Sequence, residues 1–115
     1  MKNNTEKIED KEQLISWFKT GFKKKSEWKV GTEHEKFAYK FSKIKNKYVP
    51  LSYDGKIGIK SFLKELIKFG WEPIFEEKNL IALKKELQSI TLEPGGQIEL
   101  SGAPLKSLHN TCKET

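Results

Sequence analysis

The chain has 115 residues, 36% of them hydrophobic and 33% charged, and 22 Lys+Arg against 16 Asp+Glu leave a net charge of +6. That length fits one small domain with a modest core. No stretch approaches the roughly 20 apolar residues of a membrane span, and the polar start MKNNTEKIEDKEQ lacks the apolar centre of a secretory signal. A lone cysteine, Cys112, excludes an internal disulfide and points to a reducing compartment, so a soluble cytoplasmic protein without a membrane partner is expected.

Residues 1–9 read as a disordered tail. Asp10 followed by Gln13 resembles a capping box, and Leu14, Ile15, Phe18 and Phe22 recur at helical spacing, which predicts a helix over 11–20 ended by Gly21. A basic turn then leads into a predicted strand from Trp28 to Phe41. Lys43 to Pro50 reads as a polar connector, and Asp54-Gly55 as a turn. Phe62, Leu63, Leu66 and Ile67 lie on one stripe of a predicted helix over 59–69, closed by Gly70. Trp71–Glu77 and Leu80–Lys84 read as strands, as do Ser89–Glu93 and Gln97–Ser101 around Pro94-Gly95-Gly96. Pro104 suits the first turn of a last helix, with Leu105, Leu108 and Cys112 on one side. Helices and hairpins in this order predict an α+β domain: an antiparallel sheet of about four strands with flanking helices, one face left available. The pattern breaks off at Thr115 inside a helical run, which predicts a piece of a longer chain, truncated at its C-terminus.

The strand over residues 31–41 carries the first candidate chemistry. Alternation puts Glu33, Glu35, Phe37, Tyr39 and Phe41 on one face, with Thr32, His34, Lys36, Ala38 and Lys40 on the other. The aromatic face is expected to be the buried one, so two acids point toward the core. Buried carboxylates protonate, pair with cations or bind metal. In the later hairpin Gln97, Glu99 and Ser101 share a face, and Glu93 precedes a turn whose two glycines allow positive φ. Four carboxylates on strands that can lie side by side suit Mg2+ or Mn2+, which bridge phosphates in phosphoryl transfer. Cross-strand pairing with Lys36, Lys84 or Lys85 on a solvated face is the alternative. His34 and His109 read as packed or surface residues, and Cys112 as a small buried hydrophobe. There is no phosphate-binding glycine loop.

Gly31-Thr32-Glu33-His34-Glu35-Lys36-Phe37, with Leu92-Glu93-Pro94-Gly95-Gly96-Gln97-Ile98-Glu99-Leu100-Ser101-Gly102-Ala103-Pro104-Leu105, closely resembles the plant and proteobacterial type of glutamate–cysteine ligase (γ-glutamylcysteine synthetase). Leu108-His109-Asn110-Thr111-Cys112 continues the match, as do Asp54-Gly55, the Phe62–Trp71 helix and Ile81-Ala82-Leu83, so the resemblance covers about residues 10–115. It implies the N-terminal part of a glutamine-synthetase-like catalytic domain several hundred residues long. Such enzymes join the γ-carboxyl of glutamate to the amine of cysteine with ATP and Mg2+, through γ-glutamyl phosphate, in the first step of glutathione synthesis. By position in the motifs Glu33 and Glu35 resemble first-strand metal ligands, Glu99 a ligand on a neighbouring strand, and Glu93 a weaker candidate. The implied partners are glutamate, cysteine, ATP and the remainder of the ligase chain; the piece alone is expected to be inactive.

Two other functions are open. One is a non-catalytic remnant of such a ligase, with exposed sheet edges and poor solubility. The other, ranked lower, is a small basic nucleic-acid-binding module, since +6 suits an anionic partner. The lysines are scattered, Lys23-Lys24-Lys25 is the one tight cluster, and no aromatic–basic alternation builds a stacking platform, so no nucleic-acid partner is expected.

Overall fold

A computed structural model describes residues 7–114. The expected disordered tail lies outside the described residues as far as residue 6, and residues 7–9 are exposed and without regular structure. Asp10 caps α1 (Lys11–Thr20) as its position predicts: Oδ1 accepts from the Gln13 N–H at 2.7 Å, and Gln13 Oε1 accepts from the Glu9 N–H at 2.7 Å. Gly21 closes the helix through its N–H to the Phe18 carbonyl. The apolar stripe of α1 is uncovered, with Trp17 and Phe18 each 64% exposed.

The strand expected from Trp28 to Phe41 is instead two strands in two sheets. β1 (Glu33–Phe37) pairs with β7 (Gln97–Ser101), while β2 (Tyr39–Ser42) pairs with β3 (Lys47–Pro50). The break at Ala38 has a cause in the register. Phe37 lies opposite Gln97, the first residue of β7, so beyond Phe37 no partner strand remains. The Ala38 carbonyl accepts instead from the Leu51 N–H at 2.9 Å. The stretch read as a connector therefore holds β3, joined to β2 by a turn with Asn46 at φ 46° and by an edge-on Phe41–Tyr48 ring pair at 5.4 Å.

The larger sheet has five strands rather than about four, in the order β1-β7-β6-β5-β4, with β4 at Glu72–Glu76, β5 at Asn79–Lys85 and β6 at Gln88–Glu93. Every pairing in it is antiparallel. One face is covered by α2 (Ile59–Ile67), whose Leu63 is fully buried with Leu80 and Leu83 of β5. Strict alternation would send Leu80 and Leu83 to opposite faces. A bulge at Ile81 prevents this: Ile74 pairs with Ala82 and Phe75 with Leu80, leaving Ile81 unpaired. Ile59 and Ile90 complete the buried cluster, and the Tyr53 hydroxyl ties the Asp54-Gly55 turn region to it by donating to the Leu80 carbonyl at 3.1 Å.

The last helix also starts later than Pro104. Val30 and Leu105 exchange backbone hydrogen bonds at 2.7 and 2.8 Å, which holds Leu105 extended. α3 (Leu108–Glu114) begins after Ser107, whose Oγ accepts from the Asn110 N–H. Thr111 is the residue it buries, at 3% exposure, while Cys112, expected to be buried, is exposed. The radius of gyration is 18.8 Å, against roughly 13 Å for a compact chain of this length.

Candidate functional site

The four candidate carboxylates share the face of the large sheet opposite α2. Directly opposed residues of antiparallel neighbours point the same way. In β1 and β7 the opposed pairs are Glu33 with Ser101, Glu35 with Glu99 and Phe37 with Gln97. In β6 and β7 they are Thr91 with Glu99 and Glu93 with Gln97. Alternate residues Ile90, Ile98 and Leu100 point to the helix side. The acids thus lie on one open face, and the expectation that they point into the core with their aromatic neighbours is corrected. Phe37 is 53% exposed on that sheet, while Tyr39 and Phe41 leave it for the smaller β2–β3 sheet and are 53% and 51% exposed there.

Each of three acids has one oxygen held by a neighbour. Gln97 Nε2 donates to Glu35 Oε2 at 2.9 Å, Ser101 Oγ to Glu99 Oε1 at 2.7 Å, and Thr91 Oγ1 to Glu93 Oε1 at 2.6 Å. The second oxygen of each remains for another partner. Gln97 and Ser101 were legible as companions of Glu99 by alternation; Thr91 was not singled out, although Ser89-Ile90-Thr91-Leu92-Glu93 alternates in the same way. The turn that returns β6 to β7 needs both its glycines, at φ 82° and 84°; a side chain there costs about 1–2 kcal/mol per residue.

Glu35 and Glu99 are directly opposed like charges, with Cβ atoms about 4.5–5.5 Å apart in such pairs. Lysine does not relieve them. Lys36 lies opposite Ile98 and so faces the helix side. Lys84 is opposite Ser89, which is opposite Ser101 and then Glu33; three strand spacings, about 14 Å, separate it from that acid. Lys85 Nζ donates to the Phe69 carbonyl. Among the described residues the ion pairs are Lys60–Asp54 and Lys68–Glu65, and neither touches this face.

A donor set made only of oxygens suits a hard cation. The side chains do not by themselves close around one: among the described residues no three His, Cys, Asp or Glu groups converge far enough to hold a metal ion. Glu35 and Glu99 are therefore a facing pair that fits as part of a coordination shell and needs further ligands to complete it. His34 is half-buried on the helix side, away from the acids, and His109 is exposed on α3.

An open antiparallel face bearing opposed carboxylates, with α2 packed behind, defines a class: an α+β sheet segment that presents acids. Comparison with known proteins gives the family. The chain belongs to glutamate–cysteine ligase family 2, which it matches over residues 29–115. It is similar to the chloroplastic glutamate–cysteine ligase A of Oryza sativa subsp. japonica, 48% identical over 104 residues that cover 90% of this chain and 20% of the relative. It is likewise similar to the chloroplastic glutamate–cysteine ligases of Nicotiana tabacum, at 45% identity, and Arabidopsis thaliana, at 43%, covering 90% of this chain and 19% of each relative. The chain thus spans about a fifth of the length of the curated relatives it matches. The cytoplasmic expectation is overturned by these relatives, each named as chloroplastic. No helix among the described residues is long and apolar enough to cross a membrane.

Proposed function

We propose that this chain forms the N-terminal part of the catalytic domain of an ATP- and Mg2+-dependent ligase that joins glutamate to cysteine, the first step of glutathione synthesis. The observation that carries this reading is the opposed Glu35–Glu99 pair on an open sheet face, inside the matched residues. Glu35, Glu99 and Glu33 would hold metal, with Glu93 a fourth candidate at the turn; Mn2+ would substitute. A metal held there would supply positive charge to offset the charge that develops in phosphoryl transfer.

The chain's own residues do the positioning. Gln97 holds one oxygen of Glu35 and Ser101 one oxygen of Glu99. A γ-carboxylate oxygen of glutamate attacks the terminal phosphorus of ATP and ADP leaves; the cysteine amine then attacks the acyl carbon and phosphate leaves. The sequence contains no arginine, so a bidentate guanidinium clamp on phosphate or carboxylate has to come from the rest of a ligase-length chain. The extended shape and exposed aromatics also suit a part rather than a whole.

The test is a chimera in which this chain replaces the matched 104-residue segment of rice ligase A. Formation of γ-glutamylcysteine with one ADP per peptide bond is the expected result. A folded chimera that binds ATP and makes no product would refute the reading.

A further inference from the structure

The helix side of the sheet holds a second feature, separate from the acidic face. A trough of about 650 Å3 is lined by Phe62 and Leu66 of α2, Trp71, Ile98 and Leu100 of β7, and Glu114 of α3. Apolar side chains dominate it, and several remain open: Phe62 is 45% exposed and Leu100 36%. At one end stands a carboxylate with divided loyalties. Glu114 Oε1 accepts from Gln88 Nε2 at 2.7 Å and from the Ala103 N–H at 2.9 Å. Glu114 Oε2 is buried and, among the described residues, has no hydrogen-bond partner. It also occupies the space a Cβ would need at Gly102, 2.6 Å away, so backbone and carboxylate are fitted to each other.

A buried carboxylate oxygen without a donor is left short of the hydrogen bond it had in water, and the apolar side chains of the trough stay partly wet. Both are answered by one occupant with an apolar face and one cationic donor. Apolar contact alone would leave Oε2 unpaired, and a charge alone would leave Phe62 and Leu100 wet.

We propose that the trough is the docking site for an apolar segment of the remaining four-fifths of a ligase-length chain, and that this segment delivers a Lys or Arg side chain to Glu114 Oε2. The relatives supply the length argument, since they are about five times as long as the portion matched. Charge supplies the second: Glu114 Oε2 has no hydrogen-bond donor among the described residues even though Lys36 and His34 line the same trough, so a donor from outside this chain is called for. The proposal rests on the ligase reading but concerns the opposite face of the sheet, so the two fail separately.

The experiment uses the full-length chimera in which this chain replaces the matched segment of rice ligase A, and reads amide exchange of the peptide spanning residues 62–71, which lines the trough. The expected result is that Glu114→Gln speeds exchange of that peptide at least tenfold: it keeps an oxygen for Gln88 and Ala103 but turns an amide toward the incoming donor. Phe62→Ser, at an exposed position outside the buried cluster, should speed it similarly. Exchange unchanged in both variants, in a chimera that is folded, overturns the proposal. Product formation by such a chimera would leave the ligase reading standing; a protected trough without product would do the reverse.

Discussion

Glu99→Gln should stabilise the purified chain in the absence of divalent metal. Glu35 and Glu99 are opposed on the open face with no lysine to relieve them. Two unit charges about 5 Å apart in water repel by about 0.8 kcal/mol, in line with the roughly 0.2–1 kcal/mol attributed to directly opposed cross-strand pairs. Gln keeps an acceptor for the Ser101 hydroxyl, so the substitution removes charge with little change in contacts. The assay is urea unfolding of the wild type, Glu35→Gln, Glu99→Gln and the double variant at about 0.01 M and 1 M salt. At low salt each single variant should gain about 0.5 kcal/mol and the double variant little more, because either change abolishes the repulsion. At 1 M salt, where the screening length is about 3 Å, the gain should vanish. Additive gains, or a loss of stability in either single variant at low salt, would refute the idea that the two carboxylates confront each other.

Leu63→Ala, at a side chain fully buried against β5, should cost about 2–5 kcal/mol by urea titration, enough to unfold much of so small a core. Asp10→Ala should remove about 1 kcal/mol from α1 and lower helical circular dichroism while the sheet is retained, since no residue of α1 is buried. Tyr53→Phe should lose about 1 kcal/mol through its hydrogen bond to the Leu80 carbonyl, with amide exchange of β5 the local readout. Gly102→Ala should destabilise the α3 junction, because the new Cβ would sit 2.6 Å from Glu114 Oε2 and 2.7 Å from Thr32 Oγ1; normal melting would contradict that packing.

The sequence pattern was readable wherever a local rule decided the outcome. Asp10 and Gly21 bound α1, the Phe62–Ile67 stripe marks α2, and Pro94-Gly95-Gly96 closes the β6–β7 hairpin as its composition predicts. Alternation in Gln97–Ser101 put Glu99 on the polar face, and Glu35 proved to be its partner in register. What failed depended on distant residues. Nothing between Trp28 and Phe41 announces that β7 begins opposite Phe37, yet that is what splits the strand and places β2 with β3. The bulge at Ile81 reflects two leucines three positions apart that both reach the core. The face with Phe37, Tyr39 and Phe41 was assigned to the interior on hydrophobicity, but the split sends Tyr39 and Phe41 to the smaller sheet, and α2 covers the side of the large sheet opposite the acids. Leu105 was drawn into a helix by Pro104, whereas pairing with Val30 holds it extended and leaves the cap to Ser107.

The most direct test of the account is the rate of γ-glutamylcysteine formation by the rice chimera carrying Glu35→Gln or Glu99→Gln, measured across a Mg2+ titration. Each variant should fold as the parent does and lose at least about 100-fold in kcat/KM, on the order of 3 kcal/mol of transition-state stabilisation. Part of that loss should be recovered at high Mg2+. Near-parental turnover in both variants at every metal concentration would contradict the claim that this open face holds the catalytic metal.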